Sequence, residues 1–235
     1  MVLFPDISGT AALLADPTRA QMLTQLLSGQ SFTAGELARE ADVSPQTASN
    51  HLTRLLAAGL VQVEPQGRHR YFRLANRDVA QLLEALIAFE QQKIRLPVSR
   101  TPARLRFARR CYDHLAGELG VLLLDALRQK QWVMEHEGGL TLASTGERWM
   151  ASLGIDIQTI RGKRRPLVRP CLDWSERRPH LAGAVGAALL NQFLERRWLV
   201  VGQHRELHLT TAGQQQFEQN LDLRLQSAVG REQEE

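Results

Sequence analysis

From Asp16 to Leu74 the apolar residues recur first at helical spacing and then in strict alternation, and the change of period separates two kinds of element. Asp16-Pro17-Thr18 is a helix start, after which Ala20, Leu23, Leu26 and Leu27 share one face. Thr33 to Ala41 predicts a second, short helix with Leu37, Ala38 and Ala41 as its buried stripe. Asp42-Val43-Ser44 then turns tightly. A third helix begins at Pro45 under a Ser44 cap, points Ala48, Leu52, Leu55 and Leu56 inward, and stops at Gly59. Beyond it Leu60-Val61-Gln62-Val63-Glu64 alternates, Pro65-Gln66-Gly67 turns, and Tyr71-Phe72-Arg73-Leu74 returns, which predicts a hairpin. Val79, Leu82, Leu83, Leu86, Ile87 and Phe89 follow as a helical stripe wider than one small domain needs. Packing within the module and pairing with a second copy are the two ways to cover it.

The polar positions give this pattern a chemistry. Gln46, Thr47, Ser49, Asn50, His51 and Arg54 are left on the outer face of the third helix, with Ser44 at its cap. Asn and Gln can pair bidentately with adenine, while Ser and Thr serve bases or phosphates. Arg68, His69 and Arg70 sit at the hairpin tip, where flexible cations suit phosphates or a narrow minor groove. The predicted arrangement is a helix-turn-helix with a wing, whose second helix enters a DNA major groove.

Composition changes this picture little. The chain has 235 residues, 43% hydrophobic and 23% charged, enough for one large or two ordinary domains. The formal net charge of +4 weakly favours an acidic partner. No apolar run reaches membrane-spanning length, and Met1 to Gly9 lacks the basic start and apolar stretch of a secretory signal, so the expected location is the cytoplasm. Two cysteines in so long a chain argue against a disulfide framework and suit a reducing compartment. A glycine-rich phosphate loop, a Gly-x-Ser-x-Gly elbow and a His-Glu-x-x-His helix are all missing, so no enzymatic activity is expected.

The predicted organisation is a winged module over residues 1–95, a basic linker over 96–110, and a duplicated domain over 111–235 with copies at about 111–155 and 171–222. The linker follows from the stretch Arg95 to Arg110, which holds Pro97, Pro102 and six arginines; solvation is its first reading and a phosphate-contacting strap the alternative. The duplication follows from Cys111-Tyr112-Asp113-His114-Leu115-Ala116-Gly117, answered by Cys171-Leu172-Asp173-Trp174 and, after five inserted residues, His180-Leu181-Ala182-Gly183. Leu123-Leu124, Trp132, Leu140-Thr141-Leu142 and Gly146 in the first copy match Leu189-Leu190, Trp198, Leu207-His208-Leu209-Thr210 and Gly213 in the second. Each copy reads as helix, strand, turn, strand, helix and resembles a degenerate winged helix. The fold class is therefore mainly α with small β-hairpin wings, an α+β chain.

The cysteines occupy matching positions, each followed two residues later by aspartate. Cys111, His114, Cys171, Trp174, Arg177 and His180 are the candidate effector-binding or sensing residues. Structural packing of the cysteines and histidines is the first reading. A reactive thiol in an effector pocket, a Cys/His metal site and a reversible disulfide are the alternatives. Cys111 and His114 lie one turn apart if helical, but the second copy separates its pair widely, and no metal site is assigned. In the insertion Trp174 to Pro179, Asp173 or Glu176 can pair with Arg177 and Trp174 can offer a flat wall. Arg161-Gly162-Lys163-Arg164-Arg165, with Arg169, reads as solvated surface, or otherwise as an anion site or extra DNA contact. Arg231 to Glu235 reads as a frayed tail.

Residues from about Leu13 to Phe89 resemble the winged-helix repressors of the ArsR type, through Ala15-Asp16-Pro17-Thr18-Arg19, Glu36-Leu37-Ala38, Ser44 to Leu52, Leu56-Ala57-Ala58-Gly59-Leu60-Val61 and Gly67 to Leu74. The resemblance implies a homodimer, paired through the first helix and the one from Val79 to Gln91, that sits on a palindromic double-stranded operator and leaves it when an effector binds. Half-sites would lie about 34 Å apart, so a change in the separation of the two recognition helices weakens both contacts. The chain departs from metal-sensing members: Glu36 to Glu40 holds no cysteine, and the later helix has Asp78 and Glu84 but no histidine. The two Cys/His elements are similar to a larger ArsR-type subset, which implies architecture and leaves cofactor and effector unknown. The function expected is that of a dimeric, DNA-binding transcriptional repressor whose carboxy-terminal half senses a small molecule, a thiol-reactive species or a metal. A constitutive architectural protein whose carboxy-terminal half recruits a partner is the alternative.

Overall fold

The computed structural model describes residues 7–93, 102–137, 139–161 and 165–225. The chain divides into two units, Met1–Leu86 and Ile87–Glu235. Arg95, Pro97, Arg100, residues 162–164 and the tail 231–235, all singled out in the sequence, lie outside the described residues.

In the first unit, α1 (Ser8–Leu14) precedes the Asp16 start signal and was not legible in the apolar pattern; it contributes no buried residue. At α2 (Pro17–Leu26) the Asp16 carboxylate accepts the Arg19 N–H at 2.9 Å, so the sequence's cap forms as expected. After β1 (Phe32–Thr33), a capping box opens α3 (Ala34–Glu40): the Thr33 N–H donates to Glu36 at 2.7 Å, and the Glu36 N–H donates to the Thr33 hydroxyl at 3.3 Å. The bond from the Thr33 backbone, followed by one that the Thr33 hydroxyl donates to the same carboxylate at 2.8 Å, holds the Glu36 carboxyl below its ordinary pKa. Ser44 accepts from the Thr47 N–H at 3.1 Å and starts α4 (Pro45–Ala57).

The wing is β2 (Val61–Gln66) paired antiparallel with β3 (His69–Leu74), and β1 adds to its other edge in the order β1-β3-β2. Its last pair is Gln66↔His69, so the strand runs through Pro65 and Gln66 and the turn moves to Gly67-Arg68. Pro65 is accommodated where the hairpin is exposed, and Gly67 takes the left-handed conformation (φ +59°) that the turn requires. Met22, Leu23, Leu26, Leu37, Leu52, Leu55, Phe72 and Leu74 form the core, each at most 5% exposed. Full burial of one such side chain stabilises by roughly 1.5–3 kcal/mol. The long α5 (Arg77–Lys93) buries Val79, Ala80 and Leu83 but leaves Leu82 (42%) and Leu86 (39%) exposed.

The second unit runs through two series of elements that share the order hairpin, helix, hairpin, helix, the first with an added helix at either end. The first is α6 (Ala103–Phe107), β4 (Arg109–Cys111), β5 (His114–Ala116), α7 (Glu118–Gln129), β6 (Val133–His136), β7 (Gly139–Leu142), α8 (Ser144–Ser152) and α9 (Ile157–Arg161). The second is β8 (Arg169–Leu172), β9 (Pro179–Ala182), α10 (Gly183–Glu195), β10 (Leu199–Val201), β11 (Leu207–Leu209) and α11 (Thr211–Leu221). The hairpins β4–β5 and β8–β9, each ahead of the first long helix of its series, are additions to the helix-strand-turn-strand-helix order expected from the sequence. The spacing of Cys111 and His114 fits a helical turn, but Tyr112 adopts φ +56° and reverses the chain. The expected solvated linker also fails at its carboxy end. Residues 103–107 are helical and Arg109 is completely buried, because its guanidinium finds a carboxylate inside.

The first hairpin of each series packs against the first long helix of the other. Gly120 of α7 and Gly186 of α10 let each helix lie close on the hairpin strand of its own series while it faces the histidine of the other. A Cβ at Gly120 would meet the Leu115 carbonyl oxygen at 2.7 Å and the His180 Cβ at 3.4 Å; one at Gly186 would meet the Leu181 oxygen at 2.5 Å and the His114 Cβ at 3.4 Å. The two contacts are reciprocal. A single apolar core, including Leu124, Leu127, Met150, Leu190, Phe193 and Phe217, joins the two series.

Candidate functional site

Two regions carry chemistry. The first is the outer face of α4 with the wing tip. Ser44, Gln46, Ser49, Asn50 and Arg54 are exposed, and Thr47 is half-buried. Their polar groups engage one another: the Ser44 and Thr47 hydroxyls lie 2.8 Å apart, the Gln46 amide donates to the Asn50 carbonyl oxygen at 3.2 Å, and Ser49 donates to the Pro45 carbonyl at 2.9 Å. Arg68, His69 and Arg70 are all exposed at the hairpin tip. Between these elements runs a groove of about 480 Å³, lined in part by Ser49, Thr53, Arg68, His69 and Arg70.

His51 does not belong to this face. Its Nδ1 lies 3.3 Å from the Arg19 guanidinium and 3.8 Å from the Asp16 carboxylate, and its side chain is only 16% exposed. Position 51 falls between Ala48, Leu52 and Leu55 on the inner side of α4, so the helical period had already placed it there. The buried Arg19 was missed as well. It donates to the Leu13 and Ala12 carbonyls at 2.7 and 3.1 Å, closing the end of α1 and tying it to α2 and α4. Its spacing to Leu23 and Leu26 was the available signal.

The second region lies inside the carboxy-terminal unit. Cross-strand register sets Cys111 opposite His114 in β4–β5, and Cys171 opposite His180 in β8–β9. The ligating atoms of all four residues lie within 4.8 Å of one another. Cys111, His114 and His180 are buried and Cys171 is half-buried. The sequence reading assigned no metal site because the second pair is far apart along the chain; hairpin pairing removes that objection. Both imidazoles present Nε2 to the centre, 3.1 Å apart. His114 Nδ1 faces Asp113 at 3.0 Å and His180 Nδ1 faces Asp173 at 3.1 Å.

The two aspartates are themselves held. Asp113 accepts from Arg165 at 2.8 Å, so Arg165 is part of this interior network and not of a solvated basic loop. Asp173, fully buried, accepts from Arg109 at 2.6 Å and from the Gly117 N–H at 2.7 Å. Burial opposes its charge, but His180 and Arg109 outweigh that and hold it far below the ordinary carboxylate range. Burial likewise opposes a charge on His180, yet Asp173 and the Cys111 sulfur raise it to about 9.

The predicted partner of Asp173 was Arg177, but that residue is exposed in the left-handed conformation of the turn (φ +54°), and Arg109 takes its place. Trp174 does offer a flat wall, and Arg109 occupies it at 4.1 Å from the ring centre. Trp174 and Arg177 are therefore support and turn, whereas Cys111, His114, Cys171 and His180 converge. Asp113, Asp173 and Arg109 were not among the predicted site residues; the repeated Cys-x-Asp was the signal for the two aspartates.

A helix-turn-helix domain family matches residues 14–64. An uncharacterized HTH-type transcriptional regulator of Bacillus subtilis, YdfF, is 42% identical over 224 residues, covering 94% of this chain and 99% of the relative. The HTH-type transcriptional regulator CmtR of Mycobacterium tuberculosis is 38% identical over 74 residues, 32% of this chain and 62% of that one. Among solved structures, a homodimeric winged helix-turn-helix DNA-binding domain from Mycobacterium bovis is 26% identical and covers 40% of this chain and 93% of that one, with a TM-score of 0.35. Among the described residues no helix is long and apolar enough to cross a membrane. The capped α3–turn–α4 arrangement with its basic hairpin, and a regulator alike over nearly the whole length, place this chain in the ArsR-type winged helix-turn-helix family of DNA-binding transcriptional regulators.

Proposed function

We propose that the chain is a homodimeric repressor that reads a palindromic operator with α4 and is released by an effector acting on its carboxy-terminal unit. The observation that carries the reading is the exposed row Gln46, Ser49, Asn50 and Arg54 beside the cationic tip Arg68-His69-Arg70. Gln46 and Asn50 bond only to each other, at 3.2 Å, so either can turn to a base edge without stranding a buried group. Ser44 and Thr47 serve the helix start, where N–H groups favour a phosphate. His51, held by Arg19 and Asp16, supports the helix instead of contacting DNA.

Leu82 and Leu86, one turn apart and exposed on α5, support pairing with a second copy, which doubles the contacts to DNA. The Cys111/His114/Cys171/His180 cluster supports the sensing role of the carboxy-terminal unit, by its concentration of thiol and imidazole groups. Selection from a random duplex pool in dilute salt tests the reading. An enriched palindrome with half-sites about 34 Å apart is expected; no retention of any duplex defeats it.

A further inference from the structure

We propose that Cys111, His114, Cys171 and His180 form a four-coordinate site for Zn2+, which clasps the two hairpins β4–β5 and β8–β9 together. The donor set comes first. Two sulfurs and two imidazole nitrogens within 4.8 Å of one another suit a tetrahedral, borderline-soft cation and offer nothing to Mg2+ or Ca2+, which take oxygen. With Zn–N bonds of about 2.0–2.1 Å, a regular tetrahedron sets its nitrogens about 3.3 Å apart. The observed Nε2–Nε2 separation of 3.1 Å is close to that.

Orientation is the second observation, independent of the first. Each imidazole turns Nδ1 to its own aspartate, at 3.0 Å for His114 and 3.1 Å for His180. At His114 an Nδ1–H donated to Asp113 leaves the Nε2 lone pair facing inward, the arrangement in which metal-bound histidines are held, while His180 Nδ1 meets Asp173 as an ion-pair contact without hydrogen-bond geometry. Two such lone pairs at 3.1 Å, buried, repel unless a proton or a cation lies between them.

Charge is the third. Two thiolates neutralise one Zn2+, and the flanking carboxylates are already matched, Asp113 by Arg165 and Asp173 by Arg109. A divalent cation would leave this interior electrically balanced, whereas two thiolates alone would not. Four protein donors leave no open position, so the site is a closed fastening and not a hydrolytic centre. The helix of each copy passes beside the other copy's histidine: a Cβ added at Gly120 would lie 3.4 Å from the His180 Cβ, and one at Gly186 3.4 Å from the His114 Cβ.

The test uses the full chain, reduced, stripped with chelator and then titrated with Co2+ in the absence of DNA. One Co2+ per protomer is expected, with tetrahedral ligand-field bands and a thiolate charge-transfer band, both erased by Zn2+. Cys171→Ser should weaken the charge-transfer band. Asp113→Asn, at an aspartate 27% exposed, should lower Zn2+ affinity about 10–100-fold while leaving the fold intact. On the unaltered chain, both thiols should resist an aromatic disulfide reagent when Zn2+ is bound and react once it is chelated. No uptake by the reduced chain, an octahedral spectrum without sulfur charge transfer, or a Cys111–Cys171 disulfide whose reduction yields no metal binding would each overturn the proposal. Because no step involves DNA, that failure would leave the operator-binding reading standing.

Discussion

On α4 the polar side chains bond to one another in water's reach, as with Gln46 and Asn50 at 3.2 Å. In the carboxy-terminal unit, His114, His180, Asp173 and Arg109 bond to one another where water does not reach, each at most 3% exposed. An exposed pair can exchange its partner for a base or a solvent molecule at little cost, whereas an interior pair that loses one member leaves the other unsolvated. The first arrangement suits reversible recognition. The second suits a fixed geometry, and its donors are held before any ligand arrives.

The largest expected effect tests the interior side of this contrast. Asp173→Ala leaves Arg109 buried without its carboxylate and should destabilise the chain by about 3–5 kcal/mol, read by denaturant unfolding followed through tryptophan fluorescence. A loss below about 1 kcal/mol, the range of an exposed pair, would erase the distinction. At the surface, Asn50→Ala should cost about 1–3 kcal/mol in operator affinity while unfolding stays within about 0.5 kcal/mol of the parent. Unaltered discrimination between operator and scrambled duplex would remove Asn50 from base recognition.

Smaller changes sharpen the picture. Arg68→Ala and Arg70→Ala should each reduce the slope of log affinity against log salt by about 0.9, measured by fluorescence anisotropy; an unchanged slope would take the wing off the phosphates. Thr33→Ala should cost about 1 kcal/mol by weakening the α3 cap. Because Thr33 lowers the Glu36 pKa, that carboxylate stabilises the fold above its unfolded pKa, and the stabilisation is lost as pH falls through the folded value. The variant should accordingly lose less stability on acidification, as thermal melts across the acid range would register.

The amino-terminal unit was largely legible in the sequence because its signals are local. Asp16 and Ser44 cap the helices that follow them, and the alternation of Val61 to Leu74 gives the wing, while Thr33, expected inside its helix, is its cap. The displaced turn at Gly67-Arg68 shows the limit: strand pairing carried Pro65 and Gln66 beyond the point where local turn chemistry stopped them. α1 was not seen, since a helix that buries nothing leaves no apolar stripe. In the carboxy-terminal unit the repeat was visible but its opening hairpins were not. Three-residue spacing between Cys111 and His114 fits a helix as well as a tight reversal, and only the left-handed Tyr112 separates the two.

Residue order alone determined α2 to α5 and the wing of the winged module, most of the groups that face outward on α4, and the recurrence of the Cys-x-Asp and His-Leu-Ala-Gly elements in the second half. Those properties depend on periodicity and on neighbours a few positions away. The meeting of Cys111, His114, Cys171 and His180, the pairing of His51 with Arg19 and Asp16, and the burial of Arg109 against Asp173 were decided by tertiary structure. Each depends on segments distant in the chain coming to one place, and no local period encodes which distant hairpin, helix or charge will be the neighbour.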